Sequence, residues 1–203
     1  MQKWLLFFRP VQAAPLISKD DSLNPPMVVY MVLTIAAGLS ATMQLNEDVI
    51  KQMGPLVYQL NLASIIFFEP FSPLIAATFI HMAAKKMMSL DGSLRRLILL
   101  MYYAGVGSAA CRAVLVFFTR PVRETPGLSP QNLESASTPL PLFVMMITFA
   151  IGLYSVFVTL QLTMNHYSLG LKGAVKLMIY STLLLVAAAI LLVLVLIAGG
   201  LGS

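Results

Sequence analysis

The chain is short of charge. Only 10% of its 203 residues are Asp, Glu, Lys or Arg, against about 25% in a soluble domain. That is too few to clothe a water-facing globule. Cysteine is nearly absent too. Cys111 stands alone, which excludes an internal disulfide and any cysteine-rich metal site. It lies in an apolar stretch and reads as a small packing residue. The two histidines, His81 and His166, are 85 residues apart. Neither a His-Glu-x-x-His pattern nor a Gly-rich phosphate loop occurs, so the reading is of a protein that is not an enzyme. A secretory leader is not expected either. The run Trp4 to Phe8 is five residues long before Arg9 and Pro10 end it, and a leader core needs about 7–15.

What is plentiful is hydrocarbon. Hydrophobic residues make up 59% of the chain, and mean hydropathy is +0.86. The apolar residues gather in five stretches at about 27–45, 62–84, 97–118, 140–164 and 174–198. A helix needs about 20 such residues to cross a bilayer. The expected fold is all-α: a polytopic integral membrane protein with five transmembrane helices in residues 27–203, preceded by an interfacial segment in residues 1–26. Trp4, Leu5, Phe7 and Phe8 beside Lys3 and Arg9 suit a headgroup boundary.

Basic residues set the expected orientation. With five crossings, Lys3, Arg9, Lys19, Lys85, Lys86, Arg95, Arg96, Lys172 and Lys176 share one side, and Lys51, Arg120 and Arg123 the other. Cation-rich short loops stay in the cytoplasm. The amino terminus is therefore expected inside and the carboxyl terminus outside, in a bacterial inner membrane. A net charge of +5 carried at the ends of spans points to lipid headgroups, not to nucleic acid.

Prolines punctuate the spans. Pro10 is expected to break any helix near it, leaving Val11 to Ile17 as a short amphipathic piece. Pro25-Pro26 opens the first span, where proline is harmless. Pro70 and Pro73 predict a kink or a break in the second. The run Met87 to Ser93 reads as a tight turn punctuated by Asp91-Gly92, with Ser93 capping the third helix. The loop 119–139 carries four prolines and reads as irregular.

Four groups of residues could carry chemistry. Glu69 and Arg112 are equidistant from the hairpin turn at residues 90 and 91, which predicts an ion pair between the second and third spans. His81 and His166 fall at similar depth on different helices and could clamp a haem or a metal. Lys85, Lys86, Arg95, Arg96, Lys172 and Lys176 form a basic rim for anionic lipid or for an acidic protein. Gly38, Gly105 and Gly107 mark helix faces that permit close approach.

Several of these pieces, in order, resemble the Yip family of Ypt/Rab-interacting membrane proteins, especially its bacterial members. The pieces are Trp4-x-x-x-Phe8-x-Pro10, then Leu74 to Met88 running into Ser89-Leu-Asp-Gly-Ser-Leu-Arg-Arg96, then Met101-Tyr-Tyr-Ala-Gly105, and Ser168-Leu-Gly-Leu-Lys172-Gly-Ala-Val before the last span. Two positions depart from the family pattern. Gly107 and Ser108 stand near the place of its proline after Tyr-Ala, and Met87-Met88 replace its paired glycines. The resemblance implies five membrane helices with a cytoplasmic amino terminus. A GTPase partner is not implied, because that activity belongs to a longer amino-terminal region of the eukaryotic members.

The expected function is a non-enzymatic membrane adaptor, or an accessory or assembly subunit of a larger membrane complex. Its expected partners are membrane lipids and other membrane subunits or a second copy. No cofactor is expected beyond a bound lipid or a haem at the histidines. One rival is a small transporter or channel using Glu69 and Arg112. Another is a haem- or quinone-associated redox subunit using His81 and His166.

Overall fold

The computed structural model describes residues 9–18, 20–43, 54–123 and 140–200. All regular structure among them is helical. Helix α1 (Pro10–Ala13) runs into a 3₁₀ turn (Ala14–Leu16). Helix α2 (Asn24–Met43) is the first long element. Helix α3 (Pro55–Ala63), a π turn (Ser64–Phe68), a 3₁₀ turn (Glu69–Phe71) and α4 (Ser72–Met87) follow as one rod. Helices α5 (Leu94–Arg123), α6 (Leu140–Tyr167) and α7 (Leu171–Gly200) complete the chain.

Five helical stretches are long and apolar enough to cross a membrane: Asn24–Thr42, Pro55–Met87, Leu94–Val116, Met146–Tyr167 and Leu171–Val195. Five such helices fit an integral membrane protein. The second is the outlier. Its 33 residues rise about 50 Å at 1.5 Å each, more than the roughly 30 Å of a hydrocarbon core. The helix that carries the stretch expected from residue 62 begins at Pro55. The residues before position 62, Pro55–Asn61, are apolar apart from Gln59 and Asn61, and Pro55 sits at the first helical position, where its missing N–H is no loss.

Proline positions explain the other local features. Pro25 and Pro26 lie in the first turn of α2. Pro10 opens α1 instead of breaking it, because it too sits where no intrahelical donor is needed. In the second span, Pro70 and Pro73 cannot donate to the carbonyls four residues earlier. The ladder slips to a π turn before Pro70 and tightens to a 3₁₀ turn around it. The rod is thus bent in register but not severed.

Helix α5 is the hub. It packs against α2, α4 and α6, and every residue from Leu97 to Tyr103 is buried. Half of its span window is buried, against 6% for the fifth span. One face of α5 joins Tyr30, Ala77, Ile80 and Ala84 in the main core. The opposite face, Leu99, Leu100 and Tyr103, meets Ala14, Ile17, Val158 and Leu162 in a second core. Residues 9–18 and 20–23 form an amino-terminal strap that contributes Ala14 and Ile17 to this second core. Ile17 is 2% exposed, because it fills the angle between α5 and α6.

Both turns at this end use a serine in the left-handed region: Ser89 (φ 52°) after α4 and Ser168 (φ 52°) after α6. Each follows the helix end where such a residue lets the next amide reach back. The Leu90 N–H reaches the Ala84 carbonyl at 3.0 Å, and the Leu169 N–H reaches Met164 at 2.9 Å. The turn after α4 had been expected to pivot on Asp91-Gly92. It pivots on Ser89, and Gly92 serves a different need, described next.

Candidate binding site at the basic end of the bundle

The amino-terminal strap, the 88–93 turn and the α6–α7 turn meet at one end of the bundle. This end carries Lys85, Lys86, Arg95, Arg96, Lys172 and Lys176. The six cations do not form one uniform rim. Lys85 and Lys86 occupy the last turn of α4, where a helix C-terminus favours positive charge. Lys176 lies over the ring of Tyr180, 5.5 Å from its centroid, and Lys172 is exposed at the start of α7.

The two arginines hold the strap. Arg95 donates to the Asp21 carbonyl and Arg96 to the Ala14 carbonyl, each at 3.4 Å. Ser93 caps α5 as expected: its hydroxyl accepts the Arg96 N–H at 3.4 Å. Between strap, turn and α6 lies a recess of about 400 Å³, lined by Pro15, Ile17, Ser18, Gly92, Ser93, Arg96 and His166. Among the described residues, three buried side-chain nitrogens lack a hydrogen-bond partner, and all three belong here: Arg96 Nε and both ring nitrogens of His166.

The structure brings His81 and His166 together through a residue that the sequence did not single out. Tyr167 donates to or accepts from His81 Nδ1 across 3.0 Å, and its ring meets His166 edge-on at 4.6 Å. Gly92 makes this possible. A Cβ there would stand 2.6 Å from Tyr167 Cε1 and 2.9 Å from His166 Nε2. The signal for Tyr167 lay in chemistry alone. A tyrosine at the end of an apolar run keeps its hydroxyl paired when buried.

A second polar cluster sits at the bend of the second span. The Tyr30 and Ser72 hydroxyls pair at 3.0 Å. Ser72 also donates to the Glu69 carbonyl at 2.8 Å, and Tyr102 donates to the Pro70 carbonyl at 3.3 Å. Neighbouring helices thus take up carbonyls that the two prolines leave spare. The Glu69 and Arg112 side chains are both exposed. No direct ion pair joins them among the described residues.

The close-approach glycines act inside the bundle. A Cβ on Gly38 would stand 2.5 Å from Ile65, and one on Gly105 would stand 2.7 Å from the Tyr30 ring. Gly107 is half-buried on α5. Among the described residues, no group of three His, Cys, Asp or Glu side chains is placed to hold a metal ion. Comparison of the chain with known protein families, with curated proteins and with solved structures returns no match.

Proposed function

We propose that this chain is a non-catalytic membrane adaptor, or an accessory subunit of a membrane complex, whose recognition surface is the basic end of the bundle. The reading includes a bacterial inner membrane with the basic end on the cytoplasmic side. The observation that carries it is where unsatisfied polarity lies. Within the spans, Thr34, Thr42, Thr78, Ser155, Thr163 and Thr182 donate to carbonyls of their own helices, so these hydroxyls are already partnered. At the basic end, Arg96 and His166 hold buried nitrogens that no protein group satisfies. The short motifs that resemble bacterial members of the Yip family are compatible with an accessory membrane subunit.

The test is site-specific photo-crosslinking in native membranes. A crosslinker at Asp91 or Lys172 should yield a discrete protein adduct, and one at Leu56, near the other end, should not. Adducts from neither end would overturn the proposal.

A second reading rests on the π and 3₁₀ turns in the second span, since irregular backbone at membrane depth is a feature of transporter sites. It requires Glu69→Gln to abolish solute flux into proteoliposomes. An adaptor is indifferent to that change.

A further inference from the structure

We infer that the recess between the strap, the 88–93 turn and α6 binds a phosphate group, of the kind carried by an anionic lipid headgroup or by free phosphate. The inference rests on the basic end being the recognition surface and names what that surface holds. Its chemistry comes from Arg96, Ser93 and His166. Arg96 offers a planar guanidinium whose one hydrogen bond among the described residues is the long 3.4 Å contact to the Ala14 carbonyl. Its Nε is buried and unpaired. Guanidinium forks match phosphate oxygens in pairs. Ser93 and His166 line the same recess, and the His166 imidazole has no protein hydrogen-bond partner; Ser18 lines it too, its hydroxyl held by Asp20.

The desolvated nitrogens make an oxygen-rich anion a favourable occupant. A buried polar group without a partner is unfavourable, and more so when charged. The adjacent first turn of α5 adds positive partial charge. The carboxylates on the strap are engaged in its own turn. Asp21 accepts the Ser18 N–H at 3.0 Å, and Asp20 accepts the Ser18 hydroxyl at 3.5 Å while its own N–H donates back to that hydroxyl at 3.3 Å. The recess opens where the span of α5 begins, at Leu94. That is headgroup depth for a helix that crosses a bilayer.

The experiment uses the full chain in mild detergent. Short-chain phosphatidic acid is titrated against short-chain phosphatidylcholine by native mass spectrometry, with inorganic phosphate as competitor. Phosphatidic acid should bind more tightly, and Arg96→Gln should weaken it roughly tenfold. The pair Lys172→Gln and Lys176→Gln removes more charge at the same end but lies outside the recess, so it should weaken binding clearly less than Arg96→Gln does. Ser18→Leu, at an exposed strap position, fills the recess and should reproduce the loss even where Arg96→Gln does not fold. Competition by inorganic phosphate assigns the site to soluble phosphate, and its failure assigns the site to a lipid headgroup. Wild-type binding by both recess variants, or an equal loss in the double lysine variant, overturns the inference. Loss of protein crosslinks with phosphatidic acid binding intact would remove the adaptor reading alone, and the converse would remove this one alone.

Discussion

At the residue scale, two glycines on long helices carry opposite expectations. Gly105 faces the Tyr30 ring and Gly152 faces open space. Gly105→Ala forces the ring to shift and should destabilise the bundle by about 1–3 kcal/mol. Gly152→Ala should be neutral or stabilise by up to about 1 kcal/mol, since alanine is the better helix former. Reversible unfolding in mixed detergent checks both. A similar cost for the two would show that Tyr30 does not press on Gly105. Ser168 is the reverse case: its φ of 52° suits glycine. Ser168→Gly should raise stability by about 0.5–1 kcal/mol, net of the extra freedom glycine gains when unfolded.

At the element scale, the bent second span depends on side chains from its neighbours. Tyr102 is fully buried and donates to the Pro70 carbonyl. Tyr102→Phe keeps the ring and removes that bond, which should lower stability by about 0.5–1.5 kcal/mol. Faster amide exchange confined to residues 66–74 would be the accompanying sign. Wild-type exchange there would mean that the prolines hold the bend unaided. For α5 the decisive terminal residue is Ser93. Ser93→Ala removes the acceptor of the Arg96 N–H and should destabilise by about 1 kcal/mol, read as earlier thermal unfolding.

At the scale of the whole molecule, α5 is enclosed and α7 is nearly bare. Leu183, Val186, Ile190 and Leu194 on α7 are all exposed, which suits a helix whose outer solvent is hydrocarbon. An odd number of crossings puts the chain ends in different compartments. Reporter fusions at the two termini should therefore give opposite signals, with the amino-terminal fusion on the cytoplasmic side. Matching signals would remove the five-span topology, and with it the reading of the basic end.

The sequence by itself determined the number of long apolar helices, the cap at Ser93 and the disturbance at Pro70 and Pro73. Each is a local property: run length, a hydroxyl before a helix, a missing N–H. It also brought out the residues that ring the recess, Arg96 and His166, but assigned them to different roles, one to a lipid rim and one to a haem clamp. Only the tertiary structure decided that they line one recess. It placed Ser89 where Asp91-Gly92 had been expected to turn the chain, set Tyr167 against both His81 and His166, and docked Ile17 between α5 and α6. Those facts depend on which faces of separate helices meet. Packing is settled by shape between segments far apart in the chain, and no spacing along one strand of sequence encodes it.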